Sequence, residues 1–192
     1  MAGESNVAID ICSSALDMIG DESINSFQDK SRGARSCAMQ YERTKVALIQ
    51  SHPWRFSIRQ ASLNQVSGNE PLFGYSYIHQ LPSGLLRIIQ SDIPSNDYQR
   101  FGDKVFSNSQ TVNIEYQYLP QESEFPSYFQ EILVAKMALV LSLTVKQDQV
   151  LHDRILRFFE TQWSRAKVTD SQQQPSQAVG SENFTLISAR NV

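Results

Sequence analysis

The residue types able to carry out chemistry are few in this chain and lie apart. Three histidines, His52, His79 and His152, offer acid–base or metal-binding groups. His52 stands beside Pro53 at the end of a helical pattern, where a donor or cation relieves free carbonyl groups. His79 falls in a strand pattern and His152 in a helical one. A small hydrolase built on His79 or His152 requires a carboxylate such as Asp153 to converge with it in a pocket. The acidic cluster Glu122-Ser123-Glu124 has a spacing suited to proton transfer or cation binding. It precedes a helix, whose dipole favours negative charge at its start and so accounts for it. Asp21-Glu22 follows a helix end and reads as a solvated turn. Cys12 and Cys37 sit in separate helical patterns, match no metal spacing and read as buried thiols. Gly-rich phosphate loops, HExxH pairs and Gly-x-Ser-x-Gly elbows do not occur in the sequence. The expectation is a protein without catalytic residues, metal or cofactor.

Binding chemistry is also sparse. Lys30, Arg32, Arg35, Arg43, Lys45, Arg55 and Arg59 form the one regional excess of positive charge. Asp29 and Glu42 interleave with it, which favours a solvated or ion-paired face over a phosphate-facing one. Trp54 and Phe56 are able to stack on bases or sugars, which leaves a nucleic-acid-binding module using Trp54 and Arg55 as a further reading. Next to a helix end they fit better as the closure between two layers of a core. Tyr75/Tyr77 and Tyr116/Tyr118 alternate along strand patterns and predict cross-strand aromatic pairing. The net charge of −3 and pI near 5.6 argue against binding DNA by phosphate neutralisation.

The elements that must position these residues follow from periodicity. Across 192 residues, 41% hydrophobic and 19% charged, the chain has the composition of a folded domain. Met1 to Ile11 lacks the basic start and apolar run of a secretory signal. The longest apolar stretch, Ile132 to Leu143, is interrupted by Lys136 and Ser142 and is too short to cross a bilayer. A soluble protein made in the cytoplasm, with no membrane partner, is expected. Helical spacing places helices at 7–19, 32–51, 127–143 and 147–167. Pro53 ends the second, and Pro126 suits the start of the third. Period-two alternation between 54 and 119 predicts a small antiparallel β lobe, with a hairpin turn at Gly102-Asp103. The fold class is therefore α+β, with terminal helices packed as a bundle and the β lobe inserted between them. A domain over 1–167 is followed by an extended C-terminal arm over 168–192, rich in Ser and Gln but apolar at Phe184, Leu186 and Ile187. Such a segment is either a frayed terminus or an arm that orders against a partner.

Five stretches occur in a telling order. They are Asp17-Met18-Ile19-Gly20-Asp21-Glu22 with Ile24 beyond, the Pro53-Trp54-Arg55-Phe56 corner, and Tyr77 to Arg87 with its Leu81-Pro82 break. Asn113-Ile114-Glu115-Tyr116 and Phe125-Pro126-Ser127-Tyr128-Phe129 complete the set. In this the chain resembles the tail tubular protein A family of short-tailed bacteriophages. The resemblance implies a structural virion protein of the head-to-tail junction, assembled in the host cytoplasm. It would form a ring of about twelve copies, a dodecamer, docked on the portal protein. The far side of that ring would receive the tail nozzle, a tail tubular protein B-like partner. DNA would pass through the prolonged channel without specific binding, as a mildly acidic wall allows. The interface candidates carried over are Trp54, Phe56, Tyr98, Phe101, Phe158, Phe159, Trp163, Phe184, Leu186 and Ile187. Another phage connector ring, a head-completion or tail-terminator protein, is the alternative.

Overall fold

The computed structural model describes residues 6–66 and 74–173. Four helices build the main core: α1 (Asn6–Met18), α2 (Arg32–Gln50), α3 (Ser127–Leu141) and α4 (Gln149–Gln172). The third lies in the middle, packed by the other three. Phe129, Ile132, Leu133, Ala135, Met137, Ala138, Leu139 and Leu141 are all buried, which makes α3 apolar nearly all round, as an enclosed helix must be. Counted with the turn after it, Ser127–Lys146 is long and apolar enough to cross a membrane by composition, more than the sequence reading allowed; half of it is buried against this protein's own residues. The close approach of α1 and α2 depends on Gly33, where a Cβ would stand 2.9 Å from Leu16 Cδ2.

Local signals set the helix ends. Ser31 caps α2, its Oγ accepting from the Ala34 amide at 3.0 Å. After α3 the chain reverses through a wide turn, Ser142–Lys146, and Gln147 takes a left-handed φ of 55°. Asp148 then caps α4 by accepting from the Leu151 amide. Lys146 Nζ donates to the Gly20 carbonyl at 2.8 Å and to Asp21 at 2.9 Å, which ties the reversal to the end of α1.

Among the described residues, seven strands lie between α2 and α3: β1 (Ile58–Ser62), β2 (Asn64–Gln65), β3 (Tyr77–Gln80), β4 (Leu85–Ser91), β5 (Tyr98–Phe101), β6 (Lys104–Ser107) and β7 (Asn113–Tyr118). The α+β arrangement with an inserted β lobe holds, but the lobe is two antiparallel sheets, in the orders β1-β7-β4 and β2-β3-β6-β5. Leu63, Leu81, Val105, Val112, Ile114 and Tyr116 form a second core shared by the sheets. The hairpin expected at Gly102-Asp103 joins β5 to β6, with Gly102 at φ +60°. The expected tyrosine pairing is not formed, because Tyr77 belongs to one sheet and Tyr116 and Tyr118 to the other. Arg59 lies instead over the Tyr118 ring, 3.7 Å from its centroid.

One boundary moves. The fourth helix runs past the expected end at 167 to Gln172, because Asp170 in its last turns is buried and bonded to the rest of the protein. What is left of the expected arm from 174 onward, with Phe184, Leu186 and Ile187, lies outside the described residues.

Candidate assembly interface

The Pro53-Trp54-Arg55-Phe56 corner is where bundle and sheets meet. Trp54 is fully buried, and its Nε1 donates to the Leu48 carbonyl at 3.1 Å. Its ring meets Phe129, Trp163 and His52 edge-on, with centroids 5.4, 5.3 and 4.7 Å away. Half-buried Phe56 extends the cluster to Phe129 at 4.8 Å and Phe125 at 5.9 Å. Trp54 therefore offers no surface to a partner and acts as the core closure between layers.

Two polar residues lock the same joint. Gln117 on β7 is fully buried, and its Nε2 donates to the carbonyls of Ile49 (2.8 Å) and His52 (2.7 Å) and reaches Ser57 Oγ (3.0 Å). It thereby caps carbonyl groups that the end of α2 leaves without helical partners. Asp170 on α4, only 2% exposed, accepts from the Arg55 amide at 3.0 and 3.2 Å and from Tyr128 Oη at 2.7 Å. Burial, and then the bond to Asp170, push the Tyr128 phenol up, so it stays a donor. His52 Nε2 is 3.7 Å from Asp170, yet burial outweighs that carboxylate and holds the imidazole below its ordinary value. Neither Gln117 nor Asp170 stands out in the sequence as a functional position. Asp170 continues the helical stripe of Ile155, Phe159, Trp163 and Ala166, a spacing by which it could have been found.

Several of the charged residues singled out in the sequence, among them Lys45, Arg59, Glu122 and Glu124, take structural partners. Lys45 is buried between Glu42 (2.7 Å) and Glu122 (2.6 Å); burial lowers its pKa, but these two carboxylates outweigh it and leave the ammonium above its ordinary value. Glu124 accepts from the Gln121 amide and pairs with Arg59 at 3.0 Å, and it sits below the usual carboxylate range, first through that amide. The Glu122–Glu124 cluster thus serves particular cations and an amide rather than a helix dipole alone. Cys12 and Cys37 are buried side by side; the hydrogen bond to Cys37, and then burial, push the Cys12 thiol up.

The histidines do not converge. His79 is fully buried in β3, its Nε2 3.0 Å from the Ser109 carbonyl. His152 Nδ1 lies 3.0 Å from Ser142 Oγ and 3.1 Å from the Leu139 carbonyl, while Asp153 accepts from Gln149. Among the described residues no three of His, Cys, Asp and Glu gather as a metal site. An open hollow of about 420 Å³ over β1, β7 and β4 has a mixed lining, with Gln60, Asp92, Asn113 and Glu115 beside Ala61 and Ile114.

Exposed large apolar side chains among the described residues include Met39 on α2, Ile89 on β4 and Leu143 after α3, and the aromatic ones are Phe101 and Phe158. At the β5–β6 hairpin, Phe101 is 50% exposed and edge-on to Phe106, while Tyr98, on the opposite face of β5, is half-buried against the second core. On α4, Phe158 is 41% exposed, flanked by the exposed Arg154, Arg157 and Arg165, with Val150 and Val168 further along the helix. Phe159 and Trp163, half-buried, face the groove toward α2. Exposed aromatic side chains beside arginines have the composition of interface centres. No protein-family model matches the chain, and no curated protein is significantly similar to it.

Proposed function

We propose that the chain is a structural protein that assembles into a ring joining a phage portal to the tail nozzle and prolonging the DNA channel. The observation that carries the reading is the joint around Trp54. The helical bundle is fastened to the β1-β7-β4 sheet by a buried aromatic cluster, Gln117 and Asp170, while exposed aromatic residues stand on the bundle, at Phe158, and on the other sheet, at Phe101. An adaptor must carry load between partners bound at different ends, and a close-packed joint whose Trp54, Gln117, Arg55 and Tyr128 donors are all paired transmits it without a hinge. The five stretches that resemble the tail tubular protein A family support the same reading, since two of them form this joint. In it, Phe158 and its arginines serve contacts between copies or with the portal, and Phe101 at the hairpin serves the nozzle.

The test is the mass and symmetry of the protein, alone and mixed with the portal of the same virus, by native mass spectrometry and particle imaging. A closed ring seated end-on upon the portal supports the adaptor. A ring that ignores the portal supports another connector, and a monomer that never binds it removes the proposal.

A further inference from the structure

An open groove of about 270 Å³ runs between α2 and α4, lined by Ala47, Leu48, Ser51, Lys136, Phe159 and Trp163. Its aromatic wall is the stacked pair Phe159–Trp163, with centroids 6.0 Å apart. Lys136 Nζ stands 4.9 Å from the Phe159 centroid, and Lys167 Nζ 5.5 Å from that of Trp163. The groove is apolar along α4 and positively charged at its rim.

We propose that the groove is the docking site of the chain's own C-terminal segment, with Phe184 over Trp163, Leu186 over Phe159, and Glu182 facing Lys167. Three features converge on this register. Lys167, Trp163 and Phe159 follow one another at intervals of four residues, about 6 Å of rise each. Glu182, Phe184 and Leu186 follow at intervals of two, which on one face of an extended strand is about 6.6 Å each. A segment running back along α4 therefore meets the three helical positions in step, acid to base and apolar to aromatic. The reach is ample, since Gln172 lies about 7.5 Å of helix beyond Lys167, and the residues from 173 to 181 span up to about 30 Å. Pro175 and Gly180 within that stretch suit a reversal of direction. A tether this short gives an effective concentration in the millimolar range, so the chain's own segment outcompetes that of a second copy. This inference does not rest on the adaptor reading.

The experiment compares the full chain with its Phe184→Ser/Leu186→Ser variant by tryptophan emission and acrylamide quenching. Trp54 is fully enclosed and gives a constant background, so changes report Trp163. The variant is expected to show red-shifted emission and stronger quenching, with unchanged circular dichroism. Glu182→Lys should weaken the shielding, and combining it with Lys167→Glu should restore it. Equal quenching of the variant and the unaltered chain overturns the proposal. So does shielding that is lost on about a hundredfold dilution, which would assign the groove to a second copy's segment.

Discussion

Replacing Asp170 by Ala probes a residue whose position in the chain gives little hint of its importance. Its carboxylate takes the Arg55 amide through both oxygens, at 3.0 and 3.2 Å, and the Tyr128 hydroxyl at 2.7 Å, at a site only 2% exposed. Hydrogen bonds to a charged group contribute about 1.5–3 kcal/mol each, so losing both donors' acceptor costs roughly 3–5 kcal/mol once water relieves half-buried Tyr128. For a protein of this size that corresponds to a fall in Tm of about 10 °C. Asp170→Asn keeps one carbonyl oxygen, and about half the loss is expected. Thermal unfolding followed by circular dichroism measures both variants. A double-mutant cycle with Tyr128→Phe should show non-additivity, since the two side chains share a bond. If Asp170→Ala shifts Tm by no more than about 2 °C, the last turns of α4 are not docked on the corner and the account of the joint fails.

Other perturbations of the joint are equally direct. Trp54→Ala removes a fully buried ring with four or more aromatic neighbours and should cost about 3–5 kcal/mol, read from denaturant midpoints. Gln117→Glu replaces a donor facing two carbonyls with an acceptor, so it should destabilise more than Gln117→Leu at neutral pH and recover in acid; equal effects would mean that the Nε2 bonds contribute nothing. Burial holds the folded-state pKa of His52 below its ordinary 6.5, so its contribution is complete above pH 6.5 and is lost as pH falls from there to the folded value. His52→Gln should flatten stability over that window, measured by unfolding between about pH 5 and 8. Phe158→Ser, on an exposed face, should leave stability within about 0.5 kcal/mol and impair ring formation.

Much of this fold is legible in the sequence because its helices carry strong periodicity and its breaks fall at prolines. Pro53 and Pro126 stand where α2 has ended and where α3 begins, and Gly102-Asp103 turns the hairpin. Alternation along β7 tells which side chains share a face but not which strands lie beside it. The division into two sheets, and with it the failure of the tyrosine pairing, was therefore hidden. Gln117 reads as an ordinary strand residue, because its importance comes from Ile49 and His52, far away along the chain. Asp170 is hidden by the polar composition around it, which resembles a loop although the helical stripe continues through it. The Trp54 corner was legible as packing, since an indole next to a helix-ending proline has few other places to go.

The central claim is tested most directly by imaging the protein with the portal of its virus and weighing the complex by native mass spectrometry. The account predicts a closed ring with the symmetry axis of the portal, seated on its end, and loss of that complex in the Phe158→Ser variant. A protein that stays monomeric and leaves the portal bare would contradict it.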